Sequence, residues 1–411
     1  MFGFHGIGLP VPVFNVGSIQ YLLRDEFTTD RAAGAVIGTA AEPGPGTRTV
    51  VDTENKISLS AGKAVFSGGK AAPAQGDPGI WLAAITRAAG RMGIFAINRG
   101  GASYVQWGFD TNQAGGGLNS YFESAANSIK ANDSTSNGPV VMSISNGIEY
   151  RFVLALRASG AFYFISGGAF AYPTLVFLST AGNTSTLYPS YSNYDWQFSS
   201  DYIRIPTDLW LPTPLVSDSF ASAFGVSDGL GHAEGVAGGI GAGGSGLTWT
   251  QQAGTWTVAS NRASASALSG GIAIATVPTS TADVIADVKV TRSAGQGGQV
   301  LRYADANNYL FTGHDGTNAV LKQRLAGVES TLITAAAAYS ANAVLRCDLS
   351  GVNGRLYWNN ALVGSTASIN AGLTATAHGL YVTDVTANLT VDDFVVYAKG
   401  TAGEYAALDA F

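Results

Sequence analysis

Apolar and polar residues alternate along much of this chain, and the period is that of a strand. Val284, Ala286, Val288 and Val290 interleave with Asp283, Ile285, Asp287 and Lys289, so one face of an extended segment is apolar and the other mostly polar. Ala343 to Arg346, Arg355 to Trp358 and Phe394 to Tyr397 are short, β-branched or aromatic, and bounded by turn residues. Asn359-Asn360, Asp315-Gly316 and Asn353-Gly354 supply hairpin chemistry, because Asn, Asp and Gly tolerate positive φ. No stretch sustains an amphipathic helix. Ala335 to Ala338 predicts one helical turn at most, and the Gly-rich run from Gly235 to Gly246 predicts a loop. Many short strands with closely spaced turns predict an all-β chain built of sandwiches.

A second, much longer period is also present. Asp25-Glu26-Phe27 returns as Asp218-Ser219-Phe220, and Leu187-Tyr188 as Leu380-Tyr381, each 193 positions on. Leu156 ahead of Phe162 to Phe164 matches Leu349 ahead of Leu356 to Trp358; Asp201-Tyr202 matches Asp393-Phe394, and Ala61-Gly62 matches Ala253-Gly254. Ile80 to Arg87 matches Val284 to Arg292 at a spacing of 205 when the Thr-Arg pairs are aligned, and Tyr104 and Tyr309 share that spacing. This predicts a second copy that is longer early and a first copy with extra residues around 110–140. The series divides the chain into an apolar arm (1–20), a first module (21–211), a linker (212–216) and a second module (217–411). Pro212 and Pro214 keep the linker extended.

Composition narrows the function classes. Charged residues are only 12% of the 411 while Gly reaches 53, which suits tight turns and a surface kept soluble by hydroxyls and amides. A net charge of −6 with 22 basic residues scattered along the chain gives no phosphate-binding face, so nucleic acid is not an expected partner. The single cysteine, Cys347, allows no internal disulfide and no Cys-based zinc cage, and its apolar run favours a buried thiol. The opening residues lack a basic region and contain Gly and Pro, so they do not read as a signal peptide. No segment has the roughly 20 uninterrupted apolar residues that span a bilayer.

The second module opens with Asp218-Ser219-Phe220, passes Gly246-Leu247-Thr248-Trp249 and Gly254-Thr255-Trp256-Thr257-Val258, and closes with Val391 to Tyr397. That succession resembles the concanavalin A-like, laminin-G-like jelly rolls of bacteriophage structural proteins and bacterial surface proteins. The resemblance covers about residues 216–399, and 23–206 only through the repeat. It implies two tandem jelly-roll β-sandwiches with the aromatic residues of these strands in their cores. The first module departs from the pattern: Gly62-Lys63-Ala64 stands where the second has Gly-x-Trp.

Catalytic signatures are missing. Glucanases of this fold carry a Glu-x-Asp-x-x-Glu strand that aims two carboxyls at one sugar, and the nearest run here, Asp283 to Asp287, holds two Asp and no Glu. His5, His232, His314 and His378 have no metal-ligand spacing, and Gly-x-Ser-x-Gly is absent. No catalytic residue is expected, and no cofactor, with calcium the one open possibility. Asp110 and Asn112, and Asp315 and Asn318, offer oxygen ligands in turns, though the same residues also make ordinary Asx-turns. Tyr191, Tyr194, Asp195 and Trp196 are candidates for glycan binding, since ring faces stack on sugar C–H groups and carboxylates take hydroxyls. An inter-subunit contact would use the same aromatic residues. Phe2, Phe4, Ile7, Leu9, Val13 and Phe14 form an apolar arm that would dock on its own module or on a neighbour.

The expected protein is a non-enzymatic virion component of the fibre, spike or head-decoration type. It would be made in the host cytoplasm, with copies of itself, other virion proteins and cell-surface glycan as partners. The alternatives are a bacterial extracellular polysaccharide-binding adhesin and, third, a glycan-active enzyme.

Overall fold

A computed structural model describes residues 19–42, 44–67, 78–99, 105–111, 118–125, 128–133, 140–180, 186–193, 198–212, 214–220, 248–386, 388–400, 405 and 408. Its regular elements are β-strands throughout, paired antiparallel. Among the described residues no helix is long and apolar enough to cross a membrane. Residues 1–18 of the arm lie outside the described residues, as does the Gly-rich run 235–246.

The chain forms two compact units, one of residues 1–211 plus 400–411 and the other of 212–399. The repeat assigns 217–411 to the second module; instead, Gly400, Tyr405 and Leu408 belong to the first unit. Tyr405 and Leu408 are buried there, and Tyr405 packs against Phe164 and Trp210. Nothing in the repeat marks such a return, because residues past 399 have no counterpart to align with.

Each unit is a jelly-roll sandwich of two sheets. In the first unit, the front sheet runs Phe170–Leu178, Ala161–Gly167, Glu149–Leu156, Met92–Arg99, Phe198–Pro206, Lys63–Phe66, Ile57–Ser60, with Tyr21–Asp25 also on Phe198–Pro206. The back sheet runs Val140–Ser143, Ser128–Asp133, Leu118–Ala125, Val105–Asp110, Thr186–Asn193, Gly79–Leu82, Arg48–Val51, with Ile85–Thr86 also on Thr186–Asn193. In the second unit, the front sheet runs Ala361–Ser368, Asn353–Trp358, Ala343–Ser350, Val284–Thr291, Thr390–Ala398, Arg262–Ala267, Thr255–Ala259, with Val216–Asp218 on Thr390–Ala398. Its back sheet runs Val328–Ala336, Asn318–Leu325, Asn308–His314, Gly297–Asp305, Ala377–Val382, Ala273–Pro278, Thr250–Ala253. Apart from Ile85–Thr86, the two units correspond strand for strand.

This correspondence corrects several of the sequence matches: Phe394 answers to Ile203 and Asp393 to Tyr202, one place from the pairing read in the sequence. Ile80 lies on the strand equivalent to Ala273–Pro278, and Val284–Thr291 answers to Met92–Arg99. The Thr-Arg pairs were a chance match at strand ends, and the longer early part that they implied is not needed. Ala61-Gly62 is the turn equivalent to Ser260-Asn261; all four have positive φ and close two-residue hairpins.

The true alignment exposes a size exchange. Ile57 faces Phe66 across one hairpin, and Trp256 faces Ala265 one place beyond a bulge in the other. All four are buried. A small and a large side chain have traded places, which fills the same space.

The first strand of each unit carries a shared device. Asp25 Oδ1 accepts the N–H of Phe27 at 3.2 Å, and Asp218 Oδ1 that of Phe220 at 2.9 Å. Both Phe residues have positive φ, 52° and 50°, a strained conformation held by the carboxylate bond. In the second unit Trp249 Nε1 donates to the other oxygen of Asp218 at 2.8 Å, with its ring 5.7 Å from Phe220. In the first unit Arg48 serves instead: its Nε lies 3.4 Å from Asp25 Oδ2 and its guanidinium 5.8 Å from the Phe27 ring.

The hairpin at Asn359-Asn360 forms as the pattern predicts, with φ of 51° and 69°. Asn353-Gly354 instead begins a strand, the turn being Gly351-Val352. Ala335 and Ala336 are extended and close the strand Val328–Ala336 rather than turning as helix. Cys347 is buried, and desolvation pushes its thiol far above the ordinary range.

Candidate functional site

Of the four residues expected to bind glycan, Tyr191 is described, and it belongs to the core. It is fully buried, edge-on to Phe95 at 5.7 Å, with its hydroxyl 2.8 and 3.1 Å from the carbonyl oxygens of Tyr202 and Ala96. Those carbonyls flank the bulge between Ser200 and Tyr202, so the hydroxyl satisfies polar groups that the interrupted ladder leaves open. Tyr188 is half-buried and points to the opposite side, because residues three apart on a strand cannot share a face. Tyr194, Asp195 and Trp196 lie outside the described residues, as do the arm residues Phe2, Phe4, Ile7, Leu9, Val13 and Phe14.

The turn carboxylates have internal partners. Asp110 accepts Trp81 Nε1 at 3.1 Å and the N–H of Thr111 at 2.7 Å. Asp315 Oδ1 accepts the N–H groups of Thr317 and Asn318 at 2.9 and 2.7 Å, an Asx-turn. Asn112 lies outside the described residues. Among the described residues no three His, Cys, Asp or Glu side chains cluster as a metal site would require. Asp283 and Asp287 have separate arginine partners. Asp287 binds Arg346 through both oxygens at 2.7 and 2.8 Å, and Asp283 binds Arg302 at 2.8 Å.

Other residues come together on the outward faces of the back sheets. In the first unit, Glu123 is buried among Gln106 Nε2 at 3.2 Å, Asn132 Nδ2 at 3.3 Å and Lys130 Nζ at 3.6 Å. Tyr121 lies beside them, and desolvation, with Glu123 and Asp133 nearby, raises its hydroxyl to about 12.

The corresponding face of the second unit is aromatic. Tyr303, Tyr309, Phe311 and Tyr381 form a continuous row with ring separations of 5.6, 5.7 and 4.6 Å, flanked by Ile274 and Val300. Leu301 and Leu310 point the other way, into the sandwich. Tyr303 joins the row because the ladder slips between Leu301 and Asp305, at a positive-φ Arg302, and re-aims the next side chain.

The row comes nearest the surface at Tyr303, 8% exposed. Two hairpin ends meet there: Gly327 N–H donates to Asn307 O at 3.0 Å and Ala326 N–H to Asn308 Oδ1 at 3.0 Å. Asp305 and Glu329 are exposed at this end. Arg324 reaches Glu329 at 3.3 Å and leaves its Nε without a partner. Rings, exposed carboxylates and amides are thus gathered within two turns, with the Arg324 Nε buried beneath them. Sequence reading used Tyr309 only as a repeat marker. The available signal was that Tyr309-Leu310-Phe311 is apolar on both faces of one strand.

No family model matches the chain, and no curated protein matches it. Among solved structures, it is similar to the carbohydrate binding module CBM66 from Bacillus subtilis (18% identity, 36% of this chain and 95% of that chain, TM-score 0.29). It is also similar to LamA from Z. galactanivorans in complex with laminaritriose and laminaritetraose (13%, 46% and 100%, TM-score 0.33). A third likeness is to the exoplasmic/lumenal domain of VIP36 in its Ca2+/Man3GlcNAc-bound form (7%, 42% and 91%, TM-score 0.31).

Proposed function

We propose that this chain is a non-enzymatic glycan-binding structural protein, with its site at the Tyr303 end of the aromatic row in the second unit. The observation that carries this reading is the meeting of the row's least buried ring, Tyr303, with exposed polar groups at two adjoining turns. Sugar C–H faces stack on Tyr303, while Arg324, Asp305 and Glu329 take hydroxyls. Asp283 and Asp287, the run of the sequence nearest to a glucanase carboxyl pattern, are each held by an arginine, which supports the non-enzymatic reading. The resemblance of the sequence to phage structural modules supplies the setting, a virion component that meets host-surface polysaccharide.

The test is a glycan array probed with the whole chain, followed by Tyr303→Ala and Arg324→Ala. Each substitution should weaken retention of the best glycan roughly tenfold, the equivalent of about 1.4 kcal/mol; Arg324→Ala should do so with little change in melting temperature, whereas Tyr303→Ala also lowers it because the ring is largely buried. Unchanged retention in both variants would remove this site. Release of new reducing ends from the bound polysaccharide would remove the non-enzymatic reading.

A further inference from the structure

Tyr303 owes its direction to the residue before it. Arg302 interrupts the strand Gly297–Asp305 at φ +49°, where the ladder slips. A residue with a Cβ keeps that conformation only where its surroundings hold it. Two grips do so here. The buried guanidinium donates from Nε to the Ala282 carbonyl oxygen at 3.0 Å, from Nη1 to that of Leu373 at 3.0 Å and from Nη2 to Asp283 at 2.8 Å. The backbone N–H donates to His378 Nδ1 at 3.2 Å.

His378 is fully buried, and its two neighbours fix its state. Nε2 lies 3.0 Å from the Thr281 carbonyl oxygen, which only accepts, so the ring proton sits on Nε2. Nδ1 faces an N–H and must accept. Only the neutral ring makes both bonds. A second proton has one place to go, Nδ1, where it confronts the Arg302 N–H and ends the bond that holds the slipped backbone. The charged group nearest the ring is the Arg302 guanidinium, which adds like-charge repulsion and is itself paired with Asp283. The strand Ala273–Pro278 sets apolar Val277 opposite His378, and from Ala343–Ser350 the buried Cys347 thiol faces the guanidinium. Burial above all, with the Arg302 charge, drives the ring down to about 4.

We infer, on the glycan reading of Tyr303, that His378 and Arg302 are positioning residues for that ring, and that acid opens their clasp so that the second unit lets go of its glycan.

The test uses the full chain labelled with carbonyl-13C arginine and 15N tyrosine. Arg-Tyr occurs once in the sequence, so a carbonyl-filtered NMR spectrum isolates the Tyr303 amide. Between pH 6.5 and 3.5 this resonance should move in one step, and the step should vanish in His378→Gln, whose amide oxygen accepts the same bond without titrating. Retention of the best glycan should fall roughly tenfold one pH unit below the midpoint, where about a tenth of the molecules keep the neutral ring, and stay level in His378→Gln. A stationary Tyr303 resonance, or one that moves equally in both proteins, overturns the inference, as does retention that falls equally in both. A resonance that moves as expected while no glycan is retained at any pH upholds the clasp and removes the glycan reading instead. If His378→Gln does not fold, wild type labelled at histidine Cε1 takes its place. A ring that titrates with the midpoint of the Tyr303 amide supports the clasp, and no ring with that midpoint overturns it.

Discussion

At the scale of single residues, the two units answer one problem differently. A buried carboxylate that fixes a positive-φ Phe needs a second donor; Trp249 supplies a neutral one to Asp218, and Arg48 a charged one to Asp25. The charged solution is incomplete. Desolvation outweighs the attraction of Arg48, and the Asp25 carboxyl rises to about 6. The folded first unit therefore holds a proton between about pH 6 and pH 4 that the unfolded chain has released, so this residue adds stability as pH falls through that window. His378 has the opposite sign. Buried, with Nε2 3.0 Å from the Thr281 carbonyl oxygen and Nδ1 accepting the Arg302 N–H, it is driven down to about 4 mainly by desolvation. Its contribution to the second unit is complete above about pH 6.5 and is lost as pH falls through 4. Each effect is of order 3 kcal/mol. Calorimetry from pH 7 to 4 should show wild type gaining on Asp25→Asn in the first unit and losing on His378→Gln in the second; parallel profiles in either pair would refute the corresponding assignment.

At the scale of elements, what was legible followed from alternation and turn chemistry. Val284 to Val290 reads as a strand because one face must be apolar, and Asn359-Asn360 reads as a hairpin because both residues accept positive φ. Partnership between distant strands was not legible, since pairing is set by the whole sheet. Ile80 was therefore matched with the wrong strand, and Tyr191 was taken for a surface ring although the pleat sends it into the core. The aromatic row escaped notice for a related reason: Tyr303, Tyr309 and Tyr381 come from three strands and a bulge. The exchange of Ile57 and Phe66 for Trp256 and Ala265 makes a test at this scale. Trp256→Ile should cost about 2–3 kcal/mol through the space it empties, and adding Ala265→Phe should restore at least half. Denaturant unfolding of the single and double variants measures both; strict additivity would show that the two positions do not share space.

At the scale of the whole molecule, the first unit is assembled from both ends of the sequence, with all of residues 212–399 between its parts. Ending the chain after Lys399 should lower the melting temperature of the first unit by several degrees and leave that of the second unchanged, because Tyr405 and Leu408 leave the first unit alone. Two calorimetric transitions that shift together would contradict this. The arrangement also bears on the order of synthesis. On the ribosome, the twin encoded later can close while the one encoded earlier still waits for its final residues. A chain that stops short of residue 400 thus bares hydrocarbon at Phe164 and Trp210, where Tyr405 would otherwise lie.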